Sequence, residues 1–336
     1  MDISPQALGV GSGIAASTLL WWLLRGKVEE ANPDMPPSFP AAYLTPVAKV
    51  SKLCVYPVKS CHRIEVDSTD VFKRGLLYDR CWVIIDKTGS FCNQRKQPTM
   101  AKIQPELTFL EDGQVQLSLN APDMSKLTLP QPPEDAQTTL VKVWAISGEG
   151  VDMGEEASQW VSQFLGLDGC RLYYMAPRHR ARVLKQDHQW DDITRHGEET
   201  SFSDWSPVLM ASEASLELLN SKLDTALPME RFRPNVVVSG CLPHAEDSWE
   251  AVRVGDEVIL RGLKACGRCR MTRVHPEQGC VTGEEPISTL KKYRLHETVY
   301  NCPKDSRFGS YPLFGYNFSV LKSGSINVGD TLYIQS

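Results

Sequence analysis

The sequence predicts a mixed α+β, β-rich protein of two domains preceded by one transmembrane helix. Three observations predict it. After residue 50 the chain breaks into many short apolar runs separated by Gly, Asp and Pro turns. Helical periodicity appears at only one or two places. The first residues carry a long uncharged apolar run. Of the 336 residues, 42% are hydrophobic and 23% charged, which suits a folded core. The net charge of -5 argues against a general nucleic-acid binder. The ten cysteines are spread along the chain with no small secreted domain to staple, so they read as buried free thiols in a reducing compartment.

Residues 7–24 hold no charge and end in Trp21-Trp22-Leu23-Leu24, followed by Arg25 and Lys27. As a helix this run would span about 27 Å, close to the bilayer hydrocarbon. A cleaved signal would need a basic start, and Asp2 is the only charge there. Positive charge on the C-terminal side turns the rest of the chain toward the cytosol. Residues 1–26 are therefore expected to be a membrane anchor. Residues 27–48, with Pro33, Pro36, Pro37, Pro40 and Pro46, are expected to be a semi-rigid spacer.

The first domain is expected over 49–177. Its strands are read at 50–56, 81–85, 140–146 and 170–175. A hairpin is read at 107–119, with Asp112-Gly113 as a type I′ turn. Its one helix is read over 155–165, with Trp160, Val161, Phe164 and Leu165 on the apolar face. A basic segment (Arg178, His179, Arg180, Arg182, Lys185) marks the boundary. The second domain, 183–335, has strands read at 208–210, 235–238, 258–263, 268–274 and 332–334. Ser212 is placed to cap a helix through Leu216, Leu219 and Leu223. Short strands with Gly turns suggest a small barrel.

The pair in Cys266-Gly267-Arg268-Cys269 admits three readings. A zinc site would need two further ligands, and His275 and Cys280 are the nearest candidates. A redox dithiol would need a helix after the first thiol, whereas 271–274 reads as strand. A single thiolate ligand to a soft metal would suit the basic flanks Arg268 and Arg270. Spacing does not choose among them.

The segment 264–269, with Val274-His275-Pro276-Glu277-Gln278-Gly279 after it, resembles the cofactor-cysteine segment of the MOSC family. So do Tyr56-Pro57-Val58-Lys59-Ser60, Leu77-Tyr78-Asp79-Arg80 with Trp82, Ser212-Glu213-Ala214-Ser215-Leu216, Phe232-Arg233-Pro234-Asn235, Ala245-Glu246-Asp247-Ser248-Trp249 and Pro312-Leu313-Phe314-Gly315. The motifs keep the family's order from about residue 50 onward. The resemblance is to its amidoxime-reducing members. It implies a MOSC N-terminal β domain, a MOSC barrel, and a molybdenum–pyranopterin cofactor between them. Cys269 would then be the metal ligand and the catalytic residue. Lys59, Ser60, Arg80, Ser206, Arg233 and Arg268 would hold the pterin and its phosphate. Three positions depart from the family pattern. Trp205 and Gly267 stand where small hydroxyl residues are common, and Asn317, beside Tyr316, stands where Tyr is common; all three are included as cofactor contacts.

The resemblance further implies reduction of amidoximes and hydroxylamines, with electrons from cytochrome b5 and its NADH-dependent reductase. It places the protein on the mitochondrial outer membrane, facing the cytosol. The sequence carries no dinucleotide-binding glycine fingerprint and no iron–sulfur cysteine array. The basic run 178–185 could steer an acidic haem protein or be a solvated loop. Asp247 and His275 are candidate proton donors or turn residues. Two other functions stay open: a carrier of the cofactor, and a zinc-stabilised membrane scaffold.

Overall fold

The computed structural model describes residues 44–335. The expected anchor and most of the expected spacer lie outside the described residues. Seven strands close into a barrel: β1 (Leu44–Val55), β2 (Val208–Ser212), β3 (Val236–Ser239), β4 (Ala251–Val254), β5 (Val258–Gly267), β6 (Leu313–Lys322) and β7 (Thr331–Gln335). They run in the order β3-β2-β6-β5-β4-β7-β1, and β1 pairs back onto β3 to shut the ring. Only β2 and β3 are parallel among these pairs. The helix Glu213–Asn220 starts the crossover between them, and Ser212 caps it as expected by accepting from the Ser215 amide. Inward-facing Val50, Leu53, Met210, Val252, Leu260, Phe318 and Leu332 fill the barrel.

The first expected domain does not keep its opening strand to itself. β1 leaves for the barrel and begins at Leu44, inside the expected spacer. Pro46 is tolerated there because the pairing with β7 shifts register between Pro46 and Ala48. The rest of the first half forms a four-stranded sheet, a three-stranded meander and the helix Glu155–Leu165. Trp82, Ile84, Met100, Leu117, Val161 and Leu172 make its core. Trp82 stacks on Tyr174 at 4.6 Å between ring centroids.

Several expectations need correction. The single strand read at 140–146 is a hairpin, Thr138–Val143 with Ile146–Asp152. It turns at Trp144, whose φ of 55° is unusual for a bulky residue. The Asp112-Gly113 hairpin does not turn as type I′. Only Gly113 has positive φ there, its amide donates to Leu110, and Leu110 still pairs with Gln114. That is a type I turn closed by a left-handed Gly. The second helix stops at Asn220, short of Leu223. The stretch read as strand over 268–274 is a 3-10 turn, Arg270–Arg273. β6 and β4 were not foreseen. The basic run is not one exposed patch: Arg182 is fully buried and donates to the carbonyls of Val143, Ile146, Ser201 and Ser203.

Candidate cofactor cleft

A cleft opens where the first half meets one end of the barrel. Its walls come from segments far apart in sequence. Lys59 and Ser60 follow β1, and the Lys59 amide donates to Trp82 while the Trp82 amide donates back to Pro57. Arg80 is fixed by its own amide on Tyr56 O and by Phe202, whose amide donates to Arg80 O. Trp205 and Ser206 lead into β2, Arg233 precedes β3, Arg268 follows β5, and Asn317 lies on β6.

Three of these residues hold left-handed backbone: Ser60 at φ 67°, Arg80 at 48° and Arg233 at 55°. Each such non-Gly residue costs about 1–3 kcal/mol, and strain of this kind gathers at functional sites. The surroundings impose it. Gln94 donates to Ser60 O, and Arg80 Nη2 donates to Arg233 O.

The electrostatics are one-sided. Lys59, Arg80, Arg233 and Arg268 line the cleft, against one lining carboxylate, Asp204. Arg80 is neutralised by buried Asp79, at 2.7 and 2.8 Å to its two oxygens. Lys59 pairs with Asp204. Among the described residues Arg233 and Arg268 have no such partner. They are 9% and 6% exposed, and the Arg268 guanidinium donates to the carbonyls of Phe314 and Phe232. Among the described residues Nη2 of each finds no hydrogen-bond partner though buried, and the same holds for Arg95 Nη2 and Trp205 Nε1. Buried cations without partners are costly, so this donor set fits an anionic ligand carrying a phosphate. Both Arg80 and Arg233 also stack on Tyr56, 4.2 Å from its ring centroid.

Burial pushes the Lys59 ammonium down to about 8 against the pull of Asp204. Burial likewise lowers Arg233 to about 10, and neighbouring Arg80 adds to the shift. Desolvation would raise Asp204, but Lys59 and Arg95 outweigh it and hold its carboxyl below the usual range. An expected result follows. The cofactor-free protein should bind sulfate, whose charge is constant across this range, severalfold more weakly at pH 9 than at pH 7, because Lys59 loses its proton near 8. Calorimetric titration measures it, and Lys59→Met should flatten the profile.

Eight of the ten residues expected to bind cofactor line the cleft: Lys59, Ser60, Arg80, Trp205, Ser206, Arg233, Arg268 and Asn317. Asn317, rather than Tyr316, faces it; its amide accepts from Ser206 Oγ at 2.7 Å and donates to Lys264 O. Gly267 and Cys269 are not wall residues. β5 ends at Gly267, and the chain then turns so that Cys266, Arg268 and Met271 meet the cleft. Cys269 begins the 3-10 turn beside it, half-buried, with a free thiol. Its sulfur accepts from Arg95 Nη1 at 3.4 Å. The expected basic flanks do not reach the sulfur. Arg268 is tied to Phe232 and Phe314, and Arg270 donates to Arg95 O.

Sequence reasoning gave no role to Asp204 and Asn235, which line the cleft, or to Arg95 and Trp144 beside it. Asn235 stands in the motif Phe232-Arg233-Pro234-Asn235; Arg95 and Trp144 had no signal. Asp247 is in a buried ion pair with Arg294. His275 Nδ1 accepts from the amides of Glu277 and Gln278 within a turn. Neither lines the cleft. Among the described residues no group of three or more His, Cys, Asp or Glu is placed to hold a metal ion. Cys54, Cys61, Cys81 and Cys92 are all pushed up to about 12 by burial, as packed thiols are.

Comparison with known proteins agrees with this architecture. Residues 47–168 match the MOSC N-terminal beta barrel domain, and residues 197–333 match the MOSC domain. Mitochondrial amidoxime-reducing component 1 of Mus musculus is 38% identical over 296 residues, covering 87% of this chain and 83% of the relative. The Homo sapiens protein of the same name is 38% identical over 298 residues, covering 87% and 84%. That of Xenopus laevis is 33% identical over 334 residues, covering 97% and 90%.

Proposed function

Because this chain belongs to the amidoxime-reducing-component family of MOSC-domain proteins, we propose that it is a molybdenum-cofactor reductase of N-hydroxylated nitrogen compounds. The observation that carries this reading is the pair Arg233 and Arg268, buried cations with unmet donors facing one cleft.

In this reading Ser60, Arg80, Arg233 and Arg268 hold the phosphate and pterin of a molybdenum–pyranopterin, and Cys269 supplies the thiolate ligand. When bound, that group supplies two-electron redox chemistry and a position that accepts oxygen. The net reaction takes an amidoxime or hydroxylamine, two electrons and two protons. It breaks the N–O bond and yields an amidine or amine and water. The chain's own residues do the rest. Arg80 and Arg233 brace the cofactor anion. Trp205 and Phe232 give the cleft an apolar wall against water. Lys59 Nζ, protonated at neutral pH and paired with Asp204, holds a proton at the cleft edge.

Electrons come from cytochrome b5, reduced by its NADH-dependent reductase. The relatives' names carry the word mitochondrial, and the apolar run 7–24 would anchor the protein in the outer membrane with the cleft facing the cytosol. Among the described residues no helix is long and apolar enough to cross a membrane.

Metal analysis of the full chain tests the cofactor, and turnover tests the activity. Molybdenum near one per chain is expected, together with conversion of benzamidoxime to benzamidine by reduced cytochrome b5. Molybdenum without turnover would make the protein a cofactor carrier. Zinc in its place would overturn the reading.

A further inference from the structure

We propose that Arg95 is a substrate-positioning residue whose guanidinium binds the nitrogen-bound oxygen of the substrate beside Cys269. This rests on reading the cleft as the site of N–O reduction.

Arg95 comes from the first half of the chain, on the loop 92–97. That loop is built to hold one position. Asn93 Oδ1 accepts from the Arg95 amide, and Gln94 donates to Ser60 O in the cleft wall. Arg270 Nη2 donates to Arg95 O at 2.8 Å, which ties the loop to the residue after Cys269. The guanidinium then meets three groups at once. Nη1 donates to Cys269 Sγ at 3.4 Å. The same nitrogen lies 4.0 Å from Asp204 Oδ2. The guanidinium carbon lies 4.6 Å from the Trp144 ring centroid.

None of these satisfies the side chain. A sulfur is a weak acceptor. Asp204 Oδ1 already accepts from Lys59 Nζ and from Trp144 Nε1, and its Oδ2 stands too far from Arg95 for a good hydrogen bond. Nη2 is buried and finds no partner among the described residues. A cation with an unused donor, fixed against the sulfur of Cys269 and against a cleft residue, is placed for an oxygen that gains negative charge as the N–O bond breaks. The exposed indole of Trp144 beside it offers a flat apolar face for the body of an aromatic amidoxime.

The test uses the full-length, cofactor-loaded, oxidised protein without electron donor. Calorimetry compares benzamidoxime with benzamidine, which lacks the oxygen. Arg95→Met should keep its molybdenum and bind benzamidoxime at least about tenfold more weakly. Its affinity for the cationic benzamidine should be unchanged or tighter. Arg95→Lys keeps the charge but not the fork, and should fall between. In turnover, KM should rise more than kcat falls. Equal affinities of wild type and Arg95→Met for benzamidoxime would overturn the proposal, as would parallel losses for both ligands. Should Arg95→Met lose its metal, Arg95→Lys carries the comparison; metal loss there too would make Arg95 a structural clip and end the proposal. A wild type without molybdenum or turnover would instead overturn the functional reading.

Discussion

Cys269→Ala is expected to lower benzamidoxime turnover at least about a hundredfold, a loss near 2.7 kcal/mol of transition-state stabilisation. Cys266→Ala is expected to keep most of it. The two thiols make a sharp comparison because the fold separates their surroundings. Cys266 lines the cleft and has no donor on its sulfur; its own weak contact is to Gly267 O at 3.9 Å. Cys269 stands beside the cleft with a guanidinium donating to its sulfur. A ligand thiolate carries negative charge, and Cys269 has a guanidinium donating to its sulfur, whereas Cys266 has the Lys264 charge nearby but no such hydrogen bond among the described residues. Steady-state turnover with molybdenum content measured on the same samples checks this. Loss in Cys266→Ala with retention in Cys269→Ala would move the ligand to the wall residue. Equal loss in both would point to a paired-thiol site.

Arg233→Met is expected to act with opposite sign on cofactor and on stability. The guanidinium is 9% exposed, lacks a carboxylate partner and has an unpaired Nη2. Burial already disfavours its charge, which is why its pKa falls to about 10. Replacing an unpaired buried charge by an apolar side chain is neutral or stabilising by about 1–4 kcal/mol. The cofactor-free variant should therefore melt no lower than wild type, and by several degrees higher if the gain is near the top of that range. Its molybdenum per chain should fall at least about tenfold, since a charge-assisted contact to the cofactor anion is lost. Calorimetric melting of the cofactor-free proteins and metal analysis after expression give the two readings. A lower melting temperature with full molybdenum would make Arg233 a structural residue stacked on Tyr56.

The barrel was legible in part, for a physical reason. Strands that alternate inward and outward leave a period of two, as Val258–Gly267 does over most of its length. Leu313–Lys322 was not seen because most of it is buried on both faces, so the alternation vanishes. The turn at Trp144 was hidden because it uses neither Gly nor Asn for its left-handed residue. Leu44–Val55 was cut short because Pro46 reads as a breaker, although the bulge beside it removes the conflict.

The cleft followed a similar divide. Lys59, Arg80, Arg233 and Arg268 were found through motifs in which short neighbours travel together. The left-handed backbone of Arg80 and Arg233 and the missing counterions of Arg233 and Arg268 were not readable, since both depend on what packs around them. Arg95 sits in the polar run Gln94-Arg95-Lys96-Gln97, which looks like any solvated loop. Its partner sulfur is 174 residues away along the chain. Nothing local announces a contact of that separation.

The pairing of Leu44 with Gln335 has a consequence for biosynthesis. β1 is made long before its neighbour β7 can leave the ribosome. The ring cannot shut while residues near 335 remain inside the ribosome, so the apolar edge of β1 must wait with its hydrogen-bonding groups unmet on that side. Closing so long a loop is slow, and an exposed edge strand meanwhile invites aggregation or chaperone capture. The cleft draws on both Ser60 and Asn317, so its walls come together only once the chain past Asn317 has emerged.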